Sequence, residues 1–289
     1  MTASSRAAAR LPAKRFEEVA DGIVAVVHGD GTMGLANSAL VLDGAEALVV
    51  DTMLLPEMAR DLVGELTRRG ARPAAVLNTH FHVDHVGGNA LFRGVPLVAH
   101  PTAAGIVSSL VGRTAELRQL VPRFGAELST LDVQPPEPAL ASFVPPRGAQ
   151  VLVRAPAHSP ADVALWFPAE RVLVAGDLSF NRVVPLAVHG EVSAWVAALD
   201  DLVALEPVTV LAGHGPPATV EDLRALRQYL AGVLAAARLV HLDGVPEAAA
   251  LAAVNLSTVE GWAEPGRSVP NLRRALRELR GDPDRHAVP

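Results

Sequence analysis

The chain has 289 residues, of which 50% are hydrophobic, 19% charged and only 4% aromatic, so it is globular rather than disordered, with a core of Val, Leu and Ala rather than stacked rings. A formal net charge of −6 argues against a nucleic-acid protein, and no apolar run reaches the ~18 residues of a membrane span. Zero cysteines exclude disulfides, thiolate metal sites and a cysteine nucleophile, and they fit a reducing cytoplasm.

Met1 to Arg15 carries Arg6, Arg10, Lys14 and Arg15 with no acid, and Pro12 interrupts any helix. Residues 1–15 are therefore expected to form a flexible arm ahead of one domain, 16–289. Apolar runs at Ile23 to Val27, Ser38 to Leu42 and Ala47 to Val50 predict strands, with Asp43-Gly44 as the turn between the last two. The glycine-rich connection His28 to Leu35 reads as a flap or an ordinary turn. Asp51 ends a strand, and a helix follows with Pro56 in its first turn, Arg68 and Arg69 in its last, and Gly70 just past its end. Leu62, Val63 and Leu66 form its apolar face. The strand Ala74 to Leu77 completes a βαβ-like unit, and ligands bind at the carboxyl ends of such strands.

That strand end releases Asn78-Thr79-His80-Phe81-His82-Val83-Asp84-His85-Val86-Gly87-Gly88-Asn89, with four metal-ligand side chains inside six residues. Three imidazoles and a carboxylate suit Zn²⁺ or Fe²⁺. His80 and His82, two apart on an extended segment, project to one side, whereas Asp84 and His85, after a turn, face a neighbouring pocket, so the spacing predicts two metal sites. Gly87 and Gly88 are expected to let the backbone turn tightly. Asn78 and Thr79 are placed either to hydrogen-bond imidazole N–H groups or to cap the turn.

Between His85 and His158 the pattern predicts a strand at Pro96 to Ala99 and helices at Thr102 to Val111 and Thr114 to Leu120. The proline-rich run Gln134 to Pro138 then blocks helix. This long insertion reads as a lid that sets substrate choice. Strands are expected at Gln150 to Val153, Val163 to Phe167 and Arg171 to Val174. A helix capped by Ser193 should run to Leu205, and strand Val208 to Leu211 should deliver His214. Thr219 is a plausible cap for a helix through Val240. Further helices at Pro246 to Asn255 and Pro270 to Arg280 make residues 219–289 a helical C-terminal region. His28, His100, His189, His241 and His286 read as surface or satisfied core residues, although His100 follows a strand and His189 precedes a glycine, so either could approach the cleft; Trp166, Trp195 and Trp262 read as core. Arg182, after Asp177, is placed either to bind a substrate anion or to pair on the surface.

His80-Phe81-His82-Val83-Asp84-His85 resembles the H-x-H-x-D-H signature of the metallo-β-lactamase superfamily. His158 in Ala155-Pro156-Ala157-His158, Asp177 in Ala175-Gly176-Asp177 and His214 in Ala212-Gly213-His214-Gly215 complete the likeness, which runs from about Phe16 to Pro217. The resemblance implies an α/β fold, a four-layered αββα sandwich in which two mixed sheets face one another, helices cover both outer faces and metals sit at one edge. It further implies that His80, His82 and His158 hold a first metal, that Asp84, His85 and His214 hold a second, and that Asp177 bridges them. Two Zn²⁺ per chain would activate a hydroxide, oriented by Asp84 as catalytic residue, for attack on a small-molecule thioester, lactone, ester or amide. Asp177 stands where thiolate-using β-lactamases carry a cysteine, which is closer to the glyoxalase-II-like branch. The alternatives are a mononuclear Fe²⁺ dioxygenase of the same fold and a zinc-dependent polyketide cyclase or thioesterase. Neither nucleic acid nor membrane is expected as a partner.

Overall fold

The computed structural model describes residues 11–282, so Met1–Arg10 of the expected arm and His286 lie outside the described residues. Among the described residues, ten strands divide into two sheets. The first takes β1 (Lys14–Ala20), β2 (Ile23–His28), β3 (Ser38–Asp43), β4 (Glu46–Val50), β5 (Arg72–Leu77) and β6 (Leu97–Val98) in sequence order. Its first three pairings are antiparallel and its last two parallel. The second sheet is built from β7 (Gln150–Val153), β8 (Val163–Phe167), β9 (Val172–Phe180) and β10 (Thr209–His214), in the order β10-β9-β8-β7. There β9 and β10 run parallel and the other pairs antiparallel, so both sheets are mixed.

Period-two patterning assigns each face. Ile23, Ala25 and Val27 point between the sheets with Val41, Leu48, Leu77, Leu165, Phe167 and Val174, whereas Val24 and Val26 face the opposite way, toward a helical layer. Both faces of β2 are covered, so all six of its residues are buried. On the outer face of the first sheet lies α1 (Pro56–Arg68), where Met58, Leu62 and Leu66 are fully enclosed. Each contributes roughly 1.5–3 kcal/mol of burial. The metal motif includes the single turn α2 (Val83–Val86), and the long insertion folds as α3 (Pro101–Ser109), α4 (Thr114–Leu120) and α5 (Gly125–Leu128). The second sheet is covered by α6 (Val192–Ala204), α7 (Val220–Asp243), α8 (Glu247–Ala253) and α9 (Ser268–Leu279), around Trp195, Leu199, Leu226, Tyr229, Leu230 and Leu272. This is the expected four-layered αββα sandwich.

Three local expectations need correction. Lys14 and Arg15 belong to β1 rather than to an arm: Lys14 pairs with His28 across the ladder, and its ammonium meets Asp61 of α1 at 2.7 Å. Ser193 does not cap α6, which begins at Val192. The orphan N–H groups of Val192 and Ser193 instead donate to the Glu278 carboxylate of α9, at 2.7 Å for Val192, a partner too distant in sequence for local cap rules. Gly87 and Gly88 both lie in the right-handed region, at φ −63° and −83°, so their turn needs no special backbone freedom. What it needs is the missing Cβ, which at Gly87 would sit 1.9 Å from the Leu54 carbonyl oxygen. Thr219 does cap α7, reciprocally with Asp222. Among the described residues no helix is long and apolar enough to cross a membrane.

Candidate metal centre

The ends of four strands that belong to parallel pairs meet at one edge of the sandwich. Asp51 follows β4, Asn78 to His82 follow β5, and β9 and β10 lie side by side, with Ala212 opposite Gly176. Both of the last two strands run further than their apolar runs suggested. Strand β9 continues through Asp177 to Phe180, and β10 through His214, so these two residues stand on strands rather than on loops. Gly213 makes the pairing feasible, because a Cβ there would fall 1.9 Å from Asp177 Oδ1. His158 arrives from the β7–β8 connection and packs edge-on against Trp195, with ring centroids 4.9 Å apart. His214 stacks on Phe180 at 5.0 Å, with the ring planes 8° apart.

All seven residues singled out in the sequence converge in two groups. His80, His82, His158 and Asp177 form one, and Asp84, His85 and His214 the other, with donor atoms in each group within 4.8 Å of one another. In the first group His82 Nδ1 lies 2.9 Å from His80 Nε2 and 3.0 Å from His158 Nε2. Asp177 Oδ2 is 3.3 Å from His158 Nε2 and 3.7 Å from His80 Nε2. The same oxygen is 3.6 Å from His214 Nε2 in the second group, where Asp84 Oδ2 stands 3.5 Å from that nitrogen. Four ligands set tetrahedrally at ~2.0–2.1 Å from a zinc ion would be about 3.3 Å apart, which these distances bracket.

In three of the rings the partner of the outward nitrogen explains why Nε2 faces inward. The Thr79 hydroxyl donates to Asp51 Oδ2 at 2.7 Å, which leaves it to accept from His80 Nδ1–H at 3.0 Å. His85 Nδ1–H donates to Asp51 Oδ2 at 2.8 Å, and His214 Nδ1–H to the Gly31 carbonyl at 2.8 Å. In all three rings Nε2 is the atom that faces the proposed metal ions. Thr79 thus takes the imidazole-supporting role weighed for it. Asn78 does not: its amide reaches the His85 carbonyl and Asn89, bracing the turn. Asp51 is the residue that sequence reasoning missed. It is buried, accepts additionally from Thr79 N–H at 2.8 Å, and adopts φ 62°, a left-handed backbone conformation that no sequence pattern announces.

Electrostatics favour the neutral, ligand form of His80, His82 and His158. Burial, reinforced by neighbouring imidazoles, holds His80 and His82 well below the ordinary histidine range, and burial brings His158 down to about 4. Neutral imidazole is the state that binds metal. Burial alone would lower His85 too, but Asp177 and Asp51 outweigh it and raise that ring well above the ordinary range, so a metal ion at Nε2 would have to displace a proton there. Burial works against the Asp177 carboxylate, yet His85, His214 and His158 together keep it well below the usual range. His85 Nε2 and Asp177 Oδ1 lie 3.0 Å apart but have no hydrogen-bond partner of acceptable geometry. Buried polar atoms left so are costly unless a cation meets them, and the donor set fits a metal ion at both groups.

A cleft of about 360 Å³ opens onto these ligands. Its walls are mainly apolar, with Met33 from the glycine-rich connection, Phe81, Leu110 and Val121 from the insertion, and Leu186 and Val188 before α6. The connection therefore sits over the site, with Gly31 bonded to His214. Two further polar side chains stand in the cleft wall, of which only Arg267 was unexpected. Arg267, immediately before α9, is the one guanidinium among the described lining residues, and its Nη1 donates to the Val184 carbonyl at 2.9 Å. His189 takes the cleft position weighed as the alternative for it and brings Nδ1 to 2.8 Å from His82 Nε2. Arg182 is exposed and does not line the cleft, while His100 caps α3 through the Thr102 N–H.

Comparison with known proteins agrees with this geometry. A probable metallo-hydrolase of Bacillus subtilis (strain 168), YflN, is 26% identical over 204 residues, 59% of this chain and 76% of that protein. A hydroxyacylglutathione hydrolase of Synechococcus sp. (strain JA-3-3Ab) is 31% identical over 165 residues, 57% of this chain and 56% of its own length. A linear primary-alkylsulfatase of Pseudomonas sp. (strain ATCC 19151) is 26% identical over 229 residues, 64% of this chain but 43% of that protein. The chain thus spans only about half the length of the last two relatives. In fold it resembles the sec-alkylsulfatase Pisa1 from Pseudomonas sp., with a TM-score of 0.67 and 19% identity over 94% of this chain and 51% of that one. The family model of the metallo-beta-lactamase superfamily matches residues 31–214, the span that opens in the connection over the site and closes on His214. On that match the chain belongs to the metallo-β-lactamase superfamily, as one of its metallo-hydrolases.

Proposed function

We propose that this chain hydrolyses a small apolar carbonyl compound, a thioester, lactone, ester or amide, with two zinc ions. His80, His82 and His158 would hold the first ion, Asp84, His85 and His214 the second, and Asp177 both. The observation that carries this reading is Asp177 Oδ2, set 3.3 Å from His158 Nε2 on one side and 3.6 Å from His214 Nε2 on the other. Bound there, two zinc ions supply a Lewis acid for the carbonyl oxygen and bring the pKa of a water down toward ~7.

The remaining work falls to the chain's own side chains. Asp84 lines the cleft and is the carboxylate placed to orient the attacking water and accept its proton. Phe81, Leu110, Val121 and Phe180 exclude bulk water and receive an apolar acyl or alcohol portion. The hydroxyacylglutathione hydrolase among the relatives supports an acyl substrate. A second reading, a sulfate ester of an apolar alcohol, is favoured by buried Arg267 in the same cleft, a guanidinium suited to a sulfate oxygen pair, and by the related alkylsulfatase.

Turnover of zinc-loaded protein on matched acyl esters, thioesters, lactones and alkyl sulfates tests both readings. Hydrolysis of the carbonyl series, abolished by Asp84→Ala, is expected. Cleavage of the sulfates alone selects the second reading, and oxygen consumption by protein holding one iron would refute both.

A further inference from the structure

We infer that His189 is a positioning residue of the metal centre, an acceptor that fixes His82 in the tautomer able to ligate through Nδ1. The inference rests on the reading above that His82 holds a metal. Among the histidines of the two groups, His82 is the one that turns Nδ1 inward, 2.9 Å from His80 Nε2 and 3.0 Å from His158 Nε2. In solution neutral imidazole carries its proton on either nitrogen, and a ring protonated at Nδ1 cannot bind metal through that atom. An acceptor beside Nε2 would hold the proton there and free Nδ1.

Four rings turn Nε2 inward, and three of them have oxygen acceptors for Nδ1–H, namely Thr79 Oγ1, Asp51 Oδ2 and the Gly31 carbonyl, while His158 Nδ1 has no hydrogen-bond partner and is held by packing on Trp195. For His82 the corresponding partner is His189 Nδ1, 2.8 Å from His82 Nε2. With metal at His82 Nδ1, Nε2–H is the donor and His189 Nδ1 the acceptor. His189 is then neutral and carries its own proton on Nε2.

The surroundings fix the pair. The His189 ring lies 5.0 Å from that of His82 and 5.4 Å from Phe81, centroid to centroid. Its neighbours Leu186 and Val188 belong to the wall of the cleft, as His189 itself does. One ring therefore links a metal ligand directly to the substrate-facing wall. A partner that orients a metal-bound imidazole is worth about 10–100-fold in metal affinity.

Two measurements test this. In zinc-loaded protein, ¹⁵N-detected imidazole spectra should show His82 protonated at Nε2 and unprotonated at Nδ1; the reverse assignment overturns the inference without any variant. Zinc affinity, read by chelator competition, should fall about 10–100-fold in His189→Leu and recover to within a few-fold of wild type in His189→Asn, whose amide oxygen can occupy the place of Nδ1. Unchanged affinity in His189→Leu, or an equal loss in folded Leu and Asn variants, would overturn it, since a mere packing role does not distinguish an acceptor. Failure of wild-type protein to bind zinc would instead remove the metal-centre reading itself.

Discussion

Asp51→Asn perturbs the centre without touching any proposed ligand atom. Asp51 Oδ1 accepts from Thr79 N–H at 2.8 Å, and Oδ2 from both the Thr79 hydroxyl at 2.7 Å and His85 Nδ1–H at 2.8 Å. An asparagine keeps the shape but places an amide NH₂ at one of these oxygens. If its carbonyl takes the Oδ1 position, the NH₂ confronts Thr79 and His85. The hydroxyl can rotate to accept, but His85 can do so only by moving its proton to Nε2, the atom that faces the metal. The alternative is a buried N–H with no acceptor, which costs roughly 1–3 kcal/mol. Either way the loss falls on the second group, as about a tenfold to hundredfold weaker zinc affinity. Chelator competition that resolves the two sites is the assay: the second should weaken by that factor while the first changes less than threefold or so. Equal weakening of both sites, or of neither, would show that Asp51 does not hold the His85 tautomer.

Gly213→Ala should displace Asp177, because the added Cβ falls 1.9 Å from its Oδ1, and zinc binding at both groups should fall together in elemental analysis. Asp84→Ala should lower turnover about 10²–10⁴-fold while the first group still binds zinc, whereas His241→Ala, exposed on α7, should leave rate and metal content unchanged. His28 is fully buried, both of its ring nitrogens lack hydrogen-bond partners, and burial lowers it from 6.5 to about 4. Above pH ~6.5 the ring is neutral whether folded or not; as pH falls toward ~4 only the unfolded chain takes the proton, so stability is lost, by about 3 kcal/mol. Denaturant titrations of metal-free protein should show that much less acid sensitivity in His28→Leu, and equal sensitivity would contradict the burial argument.

The sequence announced the site more fully than the scaffold that holds it. His80, His82, Asp84 and His85 are crowded into one strand end, and such crowding is visible in one dimension. His158, Asp177 and His214 became legible only through the family resemblance, because each stands alone in its segment. Asp51 acts through hydrogen bonds from residues 28 and 34 positions away, and His189 through one to a residue 107 positions away, and nothing in their own neighbourhoods encodes that. Arg267 reaches the cleft from the C-terminal region by tertiary packing. The same holds for fold detail. Strands with alternating faces were read correctly in β2, β3 and β4, while β1 was missed because its charged residues, Lys14, Arg15, Glu17 and Glu18, mask the alternation of an edge strand. Strands β9 and β10 were cut short because their glycines and ligands interrupt the apolar run just where the chemistry lies.

The most direct measurement of a dinuclear centre bridged by Asp177 is anomalous diffraction at the zinc edge from crystals of zinc-loaded protein. Two peaks per chain are expected, some 3.5–4 Å apart, one beside His80, His82 and His158 and the other beside Asp84, His85 and His214, with the Asp177 carboxylate between them. A single peak at full occupancy under saturating zinc, or two peaks with Asp177 bound to neither, would contradict it.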